Sequence, residues 1–427
     1  MNKPLGGGHA RLRGKAGPLR LWRPLLALPL ILAACSGSDG PSAPSGPGTL
    51  LTLAGNSAAA PAGTVLPEGP TFQLLDSRGN PVEAAPVALE VLEGGGRVAE
   101  PSLWTDSEGR VRGTWILGRD AGQIQRLRAS AGPLSAEVTA QAIPVRSGDA
   151  YAGRLGYVEY LPGSLPLVLT APHGGSLEPM EIPDRTWGTL VQDRNTKELT
   201  LAIREALHAR TGAYPHAIIS NLHRAKLDPN REILEAAQGN PDAERAWWEF
   251  QIFAEEAGNL VEDSFGEGLH LDLHGHGHEI DRLEIGYLLS SSDLSEPDET
   301  LSGSTYVNKS SVKALAEKPG NDLAGLVRGP QSLGSLMEDR LIPAVPSATQ
   351  PDPGPAAYFT GGYNTERHGS RDGGSISAIQ IEHHFPGLRD DAGNRERYAE
   401  ALTQALLIYF RAHFGFELAP PPSSSGK

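Results

Sequence analysis

The stretch Leu269-His270-Leu271-Asp272-Leu273-His274-Gly275-His276-Gly277-His278 constrains this chain more than any other. From 269 to 273 apolar and polar side chains alternate, the period of a β-strand with one polar face, and glycines then break the run. Imidazoles therefore arrive at a strand's C-terminal end, where open α/β sheets keep their ligand crevices. Neutral imidazole is the commonest protein ligand for zinc. Taken alone, the stretch also reads as a histidine-rich surface loop, so fragments elsewhere in the chain bear on the choice.

At 427 residues the length predicts two or three domains, and 39% hydrophobic residues with 6 Trp and 10 Tyr suffice for real cores. A formal net charge of −14 argues against a nucleic-acid binder, which needs a basic face. It leaves room for a local basic pocket facing an anionic substrate. The single cysteine, Cys35, rules out a disulfide or a thiolate metal site within the chain. Its surroundings give it another use. Arg11, Arg13, Lys15, Arg20 and Arg23 precede the apolar run Leu25–Ala34, which is too short for a comfortable membrane span and reads as a secretory leader. Leu32-Ala33-Ala34-Cys35 resembles the bacterial lipobox, which implies cleavage before Cys35, lipidation of its thiol and a membrane anchor. Ser36 after the cysteine points to the outer membrane by the same resemblance. The basic region is long for such a leader, which suggests a start codon downstream of Met1.

Residues 36–48 read as a flexible linker. From 49 to 144, β-rich runs such as Thr71-Phe72-Gln73-Leu74-Leu75, Val87-Ala88-Leu89-Glu90-Val91, residues 111–116 and residues 136–140 alternate with turn signals. That spacing predicts an antiparallel sandwich. Asp76-Ser77-Arg78-Gly79-Asn80-Pro81-Val82 and Thr105-Asp106-Ser107-Glu108-Gly109-Arg110-Val111 resemble the immunoglobulin-like repeats of bacterial surface proteins. Such modules serve as spacers or adhesive units.

Beyond residue 149 the pattern changes. Leu165–Ala171 is an almost continuous apolar strand, and helices are expected over 195–210, 241–265 and 391–414. Further strands are expected at 217–220, 282–289 and 376–382. Alternating strands and helices predict an α/β domain with a largely parallel sheet, spanning 150–416 and followed by a disordered tail over 417–427.

Three pieces of this domain can build one metal site. His173 sits in Pro172-His173-Gly174-Gly175, whose glycines allow close backbone approach. Asp193 stands where a helix should begin, and His274 closes the central strand. Two histidines and a carboxylate leave a fourth zinc position open, the catalytic arrangement. Individually, His173 reads equally as a loop histidine and Asp193 as a helix N-cap.

Together these fragments resemble the N-formylglutamate amidohydrolase family, part of a wider group of zinc amidases and carboxypeptidases with a phosphorylase/hydrolase-like α/β fold. The matching pieces are Pro172–Gly175, Asp193-x-x-Thr196-x-Glu198-Leu199, Asp228-Pro229-Asn230-Arg231, Asp272-Leu273-His274, Gly361-Gly362-Tyr363 through His368-Gly369, and Ile379-Gln380-Ile381-Glu382. The resemblance implies zinc held by His173, Asp193 and His274. Glu178, Glu181 and Glu198 are alternatives for the carboxylate. Asp193 is preferred because the related phage poly-γ-glutamate hydrolases carry theirs three residues before a threonine at a helix start. Glu382 takes the role of general base toward water. Arg231, with Asn230 and Arg224, is expected beside the substrate's carboxylate, where guanidinium binds through two parallel hydrogen bonds. His368 is a candidate donor to the oxyanion. His276 and His278 depart from the family and read as an outer support or a second metal position.

The sequence thus predicts an envelope lipoprotein anchored at Cys35, with a β-sandwich spacer and a zinc amidohydrolase acting on a small carboxylate-bearing amide or peptide. Its export sets it apart from cytoplasmic histidine breakdown. A surface binding or adhesion protein with an inactive hydrolase-like domain is the competing class.

Overall fold

The computed structural model describes residues 47–421. The leader with Cys35, most of the linker, and residues 422–427 of the tail lie outside the described residues.

Between Pro47 and Ile143 every regular element is a strand. Ala58–Pro61, Leu134–Ile143, Ile124–Ala131, Pro86–Glu93 and Ser102–Trp104 form one sheet in that order. Pro47–Ala54, Thr71–Asp76 and Arg110–Arg112 form another. Period-two alternation sets the core: Leu127, Ala129 and Ala131 are buried along one strand, while the intervening Arg128 pairs across the sheet with Glu137 at 2.8 Å. Trp115, Phe72, Leu74 and Val87 fill the interior. The pairing departs from a wholly antiparallel sandwich at one point, because Ala58–Pro61 runs parallel to Leu134–Ile143. The two similar turn segments fold alike. Asp76 Oδ1 accepts from the backbone nitrogens of Arg78 and Asn80 at 2.8 and 2.9 Å, and Asp106 Oδ1 from those of Glu108 and Arg110 at 2.8 Å. Each turn closes through a glycine at positive φ, Gly79 at 84° and Gly109 at 70°, which glycine adopts without steric cost.

Eight strands of the C-terminal region form a second body of sheet. Their order is Tyr151–Ala152, Val158–Leu161, His216–Ser220, Leu167–Ala171, Gly268–Gly275, Ile376–His383, Leu283–Gly286 and Ala344–Val345. The four middle strands are parallel. Both flanks are not: Val158–Leu161 opposes His216–Ser220, and Leu283–Gly286 opposes Ile376–His383. The sheet is therefore mixed rather than largely parallel. Connection length explains the correction. Residues 162–166 and 276–282 are too short to carry the chain back in a parallel crossover, which needs a dozen residues or more.

One face of this sheet is apolar. Leu169, Leu271, Leu273, Ile379 and Ile381 join helices Thr196–Thr211 and Ala392–Tyr409 in a continuous core. On the other face Val168 and Ile218 pack with Phe250 and Phe253 of the helix Pro241–Phe265. Alternation places Thr170, His270, Asp272, His274, Gln380 and Glu382 on that second face. The long helix has the bounds its caps predict: Asn240 accepts from the nitrogens of Asp242 and Ala243, Pro241 opens the first turn, and Gly266 closes the last at φ 79°. The final helix ends at Tyr409 and continues as a wider turn over Phe410–Phe414. Six helices of one or two turns between Ser291 and Glu338 have no counterpart in the sequence reading.

Sandwich and α/β region belong to one compact unit. Ile252 of the long helix packs with Val65 and Ile116, and Arg119 reaches Glu256 at 2.8 Å and Asp263 at 2.6 Å. Buried Arg245 donates to the carbonyl oxygens of Leu66, Pro67 (3.0 Å) and Gly113 (3.2 Å) and faces Glu249 at 3.5 Å. Removing one partner of a buried ion pair strands the other. Arg245→Ala is expected to cost roughly 3–5 kcal/mol of stability in urea unfolding; a change below about 0.5 kcal/mol, the range of ordinary surface substitutions, would refute this role.

Candidate metal centre

His173 follows the strand Leu167–Ala171 directly, and its carbonyl oxygen accepts from the Asp193 nitrogen at 3.1 Å. The glycines after it serve close packing of the chain on itself. A Cβ at Gly174 would collide with the Lys197 nitrogen, and one at Gly175 with the Asn221 carbonyl carbon. Asp193 precedes the helix Thr196–Thr211 without capping it through its side chain; the cap position is Asn195, at φ 65°. Asp193's carbonyl accepts from the Thr196 hydroxyl at 2.8 Å instead, which frees its carboxylate to face the sheet.

There it meets two imidazoles. His173 Nδ1 lies 3.1 Å from His274 Nδ1, and Asp193 Oδ2 lies 3.2 Å from the first and 3.3 Å from the second. All three residues are buried. The far nitrogen of each ring is taken by a carboxylate: His173 Nε2 by Asp228 Oδ1 at 2.6 Å, and His274 Nε2 by Asp272 Oδ2 at 2.7 Å. Burial opposes charge on both carboxylates, but the imidazoles they face hold Asp228 and Asp272 below the usual range. Ionised carboxylates only accept, so each Nε2 carries the proton and each Nδ1 presents its lone pair inward.

A second layer holds these carboxylates. Arg224 donates to Asp228 Oδ2 at 3.0 Å and to Asp193 Oδ1 at 3.3 Å. Thr170 donates to Asp272 Oδ1 at 2.6 Å and receives His270 Nε2 at 2.8 Å. Asn230 Nδ2 stands 3.3 Å from His274 Nε2, and its side-chain oxygen Oδ1 accepts from the Asn364 backbone nitrogen at 2.8 Å. The sequence reading placed Arg224 and Asn230 beside substrate; the structure places both among the supports of the triad. Asp228 and Asp272 had no role in that reading. Asp272 had a signal, since residues two apart on a strand share a face.

Glu382 pairs in register with His274 on the neighbouring strand, so both side chains leave the same face. Its carboxylate accepts one side-chain hydrogen bond among the described residues, from Gln380 Nε2 at 3.0 Å. Burial pushes its carboxyl up to about 8, with Asp193 adding to the shift and His274 opposing it. His383 turns the other way, donating to the His274 carbonyl at 2.6 Å and meeting the Tyr398 hydroxyl at 2.8 Å.

Other expected residues are not members of the triad. Glu178 is exposed near His223, Glu181 takes the Tyr157 hydroxyl, and Glu198 is exposed on its helix. Arg231 is partly exposed and paired with Glu235 at 3.3 Å. The His368 ring lies tilted against His270, 5.3 Å between centres, and bonds Gln251 at 2.8 Å. The helix Tyr363–His368 carries it back along the sheet, and the structure does not bring it to the triad.

The donor set fits zinc. Tetrahedral coordination at about 2.0–2.2 Å puts neighbouring donors roughly 3.3–3.5 Å apart, close to the three distances here. Two lone pairs and a carboxylate converging at this range require a positive charge between them. Carboxylates behind both imidazoles are the usual outer support of histidine ligands.

No protein-family model and no curated protein matches the chain. Among solved structures it is similar to an N-formylglutamate amidohydrolase from Ralstonia eutropha JMP134, at 14% identity and TM-score 0.37 over 60% of this chain and 97% of that one. The D00–D0 domain of intimin aligns at 16% identity and TM-score 0.19, over 23% of this chain and 47% of its own. Domains 4 and 5 of the S-layer protein SbsC align at 12% and 0.19, over 23% and 52%. Likenesses this distant say nothing of chemistry, which rests on the donor geometry. Asp272→Asn is expected to weaken zinc binding at the triad about 10- to 100-fold, measured by competition with a chromogenic chelator. An unchanged affinity would remove Asp272 from the support of His274.

Proposed function

We propose that this chain is a zinc-dependent amidohydrolase that cleaves an amide or peptide bond next to a carboxylate, with Glu382 as general base. The observation that carries this reading is the convergence of His173 Nδ1, His274 Nδ1 and Asp193 Oδ2, with a carboxylate behind each ring. Three protein donors leave one position open, as catalytic rather than structural zinc requires. Zinc held there polarises a carbonyl and lowers the pKa of water. Glu382 accepts a proton from the attacking water on a carboxylate oxygen and passes it to the leaving nitrogen as the C–N bond breaks. Burial raises the Glu382 carboxyl, and the charge of zinc would lower it again, which suits a group that must take and then return a proton near neutral pH. Gln380 fixes its rotamer, and Asp228, Asp272 and Arg224 keep the ligands aligned. Arg231 meets the substrate's carboxylate by giving up Glu235 for it.

The leader ending at Cys35 supplies export and a lipid anchor in this reading, which places the domain in the cell envelope. Acylated amino acids, γ-glutamyl peptides and cell-wall amides are the substrates available there. No helix among the described residues is long and apolar enough to cross a membrane.

Screening the zinc-loaded protein against these three classes tests the proposal. Chelation should abolish hydrolysis and added zinc restore it. Glu382→Gln should lower kcat/KM about 100- to 10,000-fold with zinc content unchanged. A protein purified without metal, whose binding of cell-wall material is unaltered by Glu382→Gln, would instead support an adhesive role.

A further inference from the structure

A second group of donors sits on the far side of Glu382. Glu284 pairs with Glu382 across the antiparallel edge of the sheet, as His274 pairs with it across the parallel edge. His274, Glu382 and Glu284 thus form a row over three adjacent strands. Glu284 is fully buried, and its one ion-pair partner among the described residues is His278, Nδ1 to Oε1 at 2.8 Å. One donor atom each from His276, His278 and Glu284 lies within 4.8 Å of the others.

We propose that His276, His278 and Glu284 hold a second divalent cation, separate from the triad at His173. The donor set repeats two imidazoles and one carboxylate, which suits a zinc-like ion. His276 Nε2 donates to the Arg282 carbonyl at 2.8 Å. That bond fixes the tautomer and leaves Nδ1 as the lone-pair nitrogen, the way ligand histidines are usually held. Nδ1 accepts a hydrogen bond of 3.2 Å from the His278 backbone nitrogen, which a cation would displace. Glu284 Oε2 accepts from the Phe359 nitrogen at 2.9 Å, and the His278 ring lies flat on Phe359 at 4.7 Å, so both outer donors are aimed by one segment.

Two further observations point to a ligand. Glu284 and Glu382 are buried side by side, and no Lys or Arg among the described residues ion-pairs with either. A carboxylate buried without a cation beside it is costly. His384 is 9% exposed, its Nδ1 has no hydrogen-bond partner, and its ring centre is 6.4 Å from that of His276. It also lines a cavity of about 760 Å³ with Arg340, Leu388, Arg397 and Tyr398. The Nδ1 of His384 thus stands unpartnered beside the group, on the side that borders this cavity.

The site is tested by counting metal on the full chain, stripped by chelation and titrated with Zn²⁺ alone. Equilibrium dialysis with elemental analysis should give two equivalents. His278→Ala, which alters a partly exposed ring, and Glu284→Gln, which keeps the side chain's shape, should each give one, with circular dichroism unchanged. Asp193→Asn should also give one, by losing the other ion. A wild-type chain that saturates at one equivalent, lost in Asp193→Asn, would overturn the second site and leave the first standing. Two equivalents that persist in both His278→Ala and Glu284→Gln would overturn it as well.

Discussion

Two hydrogen bonds fix the character of this site: Asp228 to His173 and Asp272 to His274. Each carboxylate draws a proton onto the Nε2 that faces it, and both rings must then turn an unprotonated Nδ1 toward the same point, 3.1 Å apart. With Asp193 as third member, the centre consists of acceptors alone. Such a group is stable only around a positive charge. Asp272 with Asp193 holds His274 well above its ordinary range against the penalty of burial, the same demand for positive charge. A divalent cation meets it more fully, because three donors engage it at once.

The fold supplies this geometry through two elementary periods. Alternation along Gly268–Gly275 gives one face to Leu269, Leu271 and Leu273 and the other to His270, Asp272 and His274, so one strand builds a core and a site together. Parallel pairing brings the ends of Leu167–Ala171, Gly268–Gly275 and Ile376–His383 to the same edge, where His173, His274 and Glu382 emerge. Arg224 then joins Asp193 and Asp228, which lie on separate loops. The polar chain from His270 through Thr170 to Asp272 continues that support into the interior. A site so braced keeps its donors placed before any ligand arrives, the preorganisation on which catalysis depends.

Features with local causes were legible in the sequence. The strand into His274 follows from alternation, and the helix expected over 241–265 forms with those bounds. What was not legible depends on distance or on brevity. Asp228 meets His173 across 55 residues, and nothing near either announces it. The short helices between Ser291 and Glu338 span too few turns to show a 3.6-residue period. The resemblance places Arg224 and Asn230 beside the substrate's carboxylate, whereas in the structure Arg224 bonds Asp193 and Asp228 and Asn230 lies against His274, contacts between residues far apart in the chain. The antiparallel edges came from short connections that a strand-and-helix alternation does not register. Glu284 was read as a strand residue, and its partnership with His278 required the sheet register.

The central claim is that His173, Asp193 and His274 share one cation. An anomalous difference map from zinc-loaded crystals, recorded on either side of the zinc edge, tests it most directly. The account predicts a peak about 2.0–2.2 Å from His173 Nδ1, His274 Nδ1 and Asp193 Oδ2 together. Density that avoids this point in a fully loaded crystal, with the two Nδ1 atoms bridged by a proton alone, would contradict it.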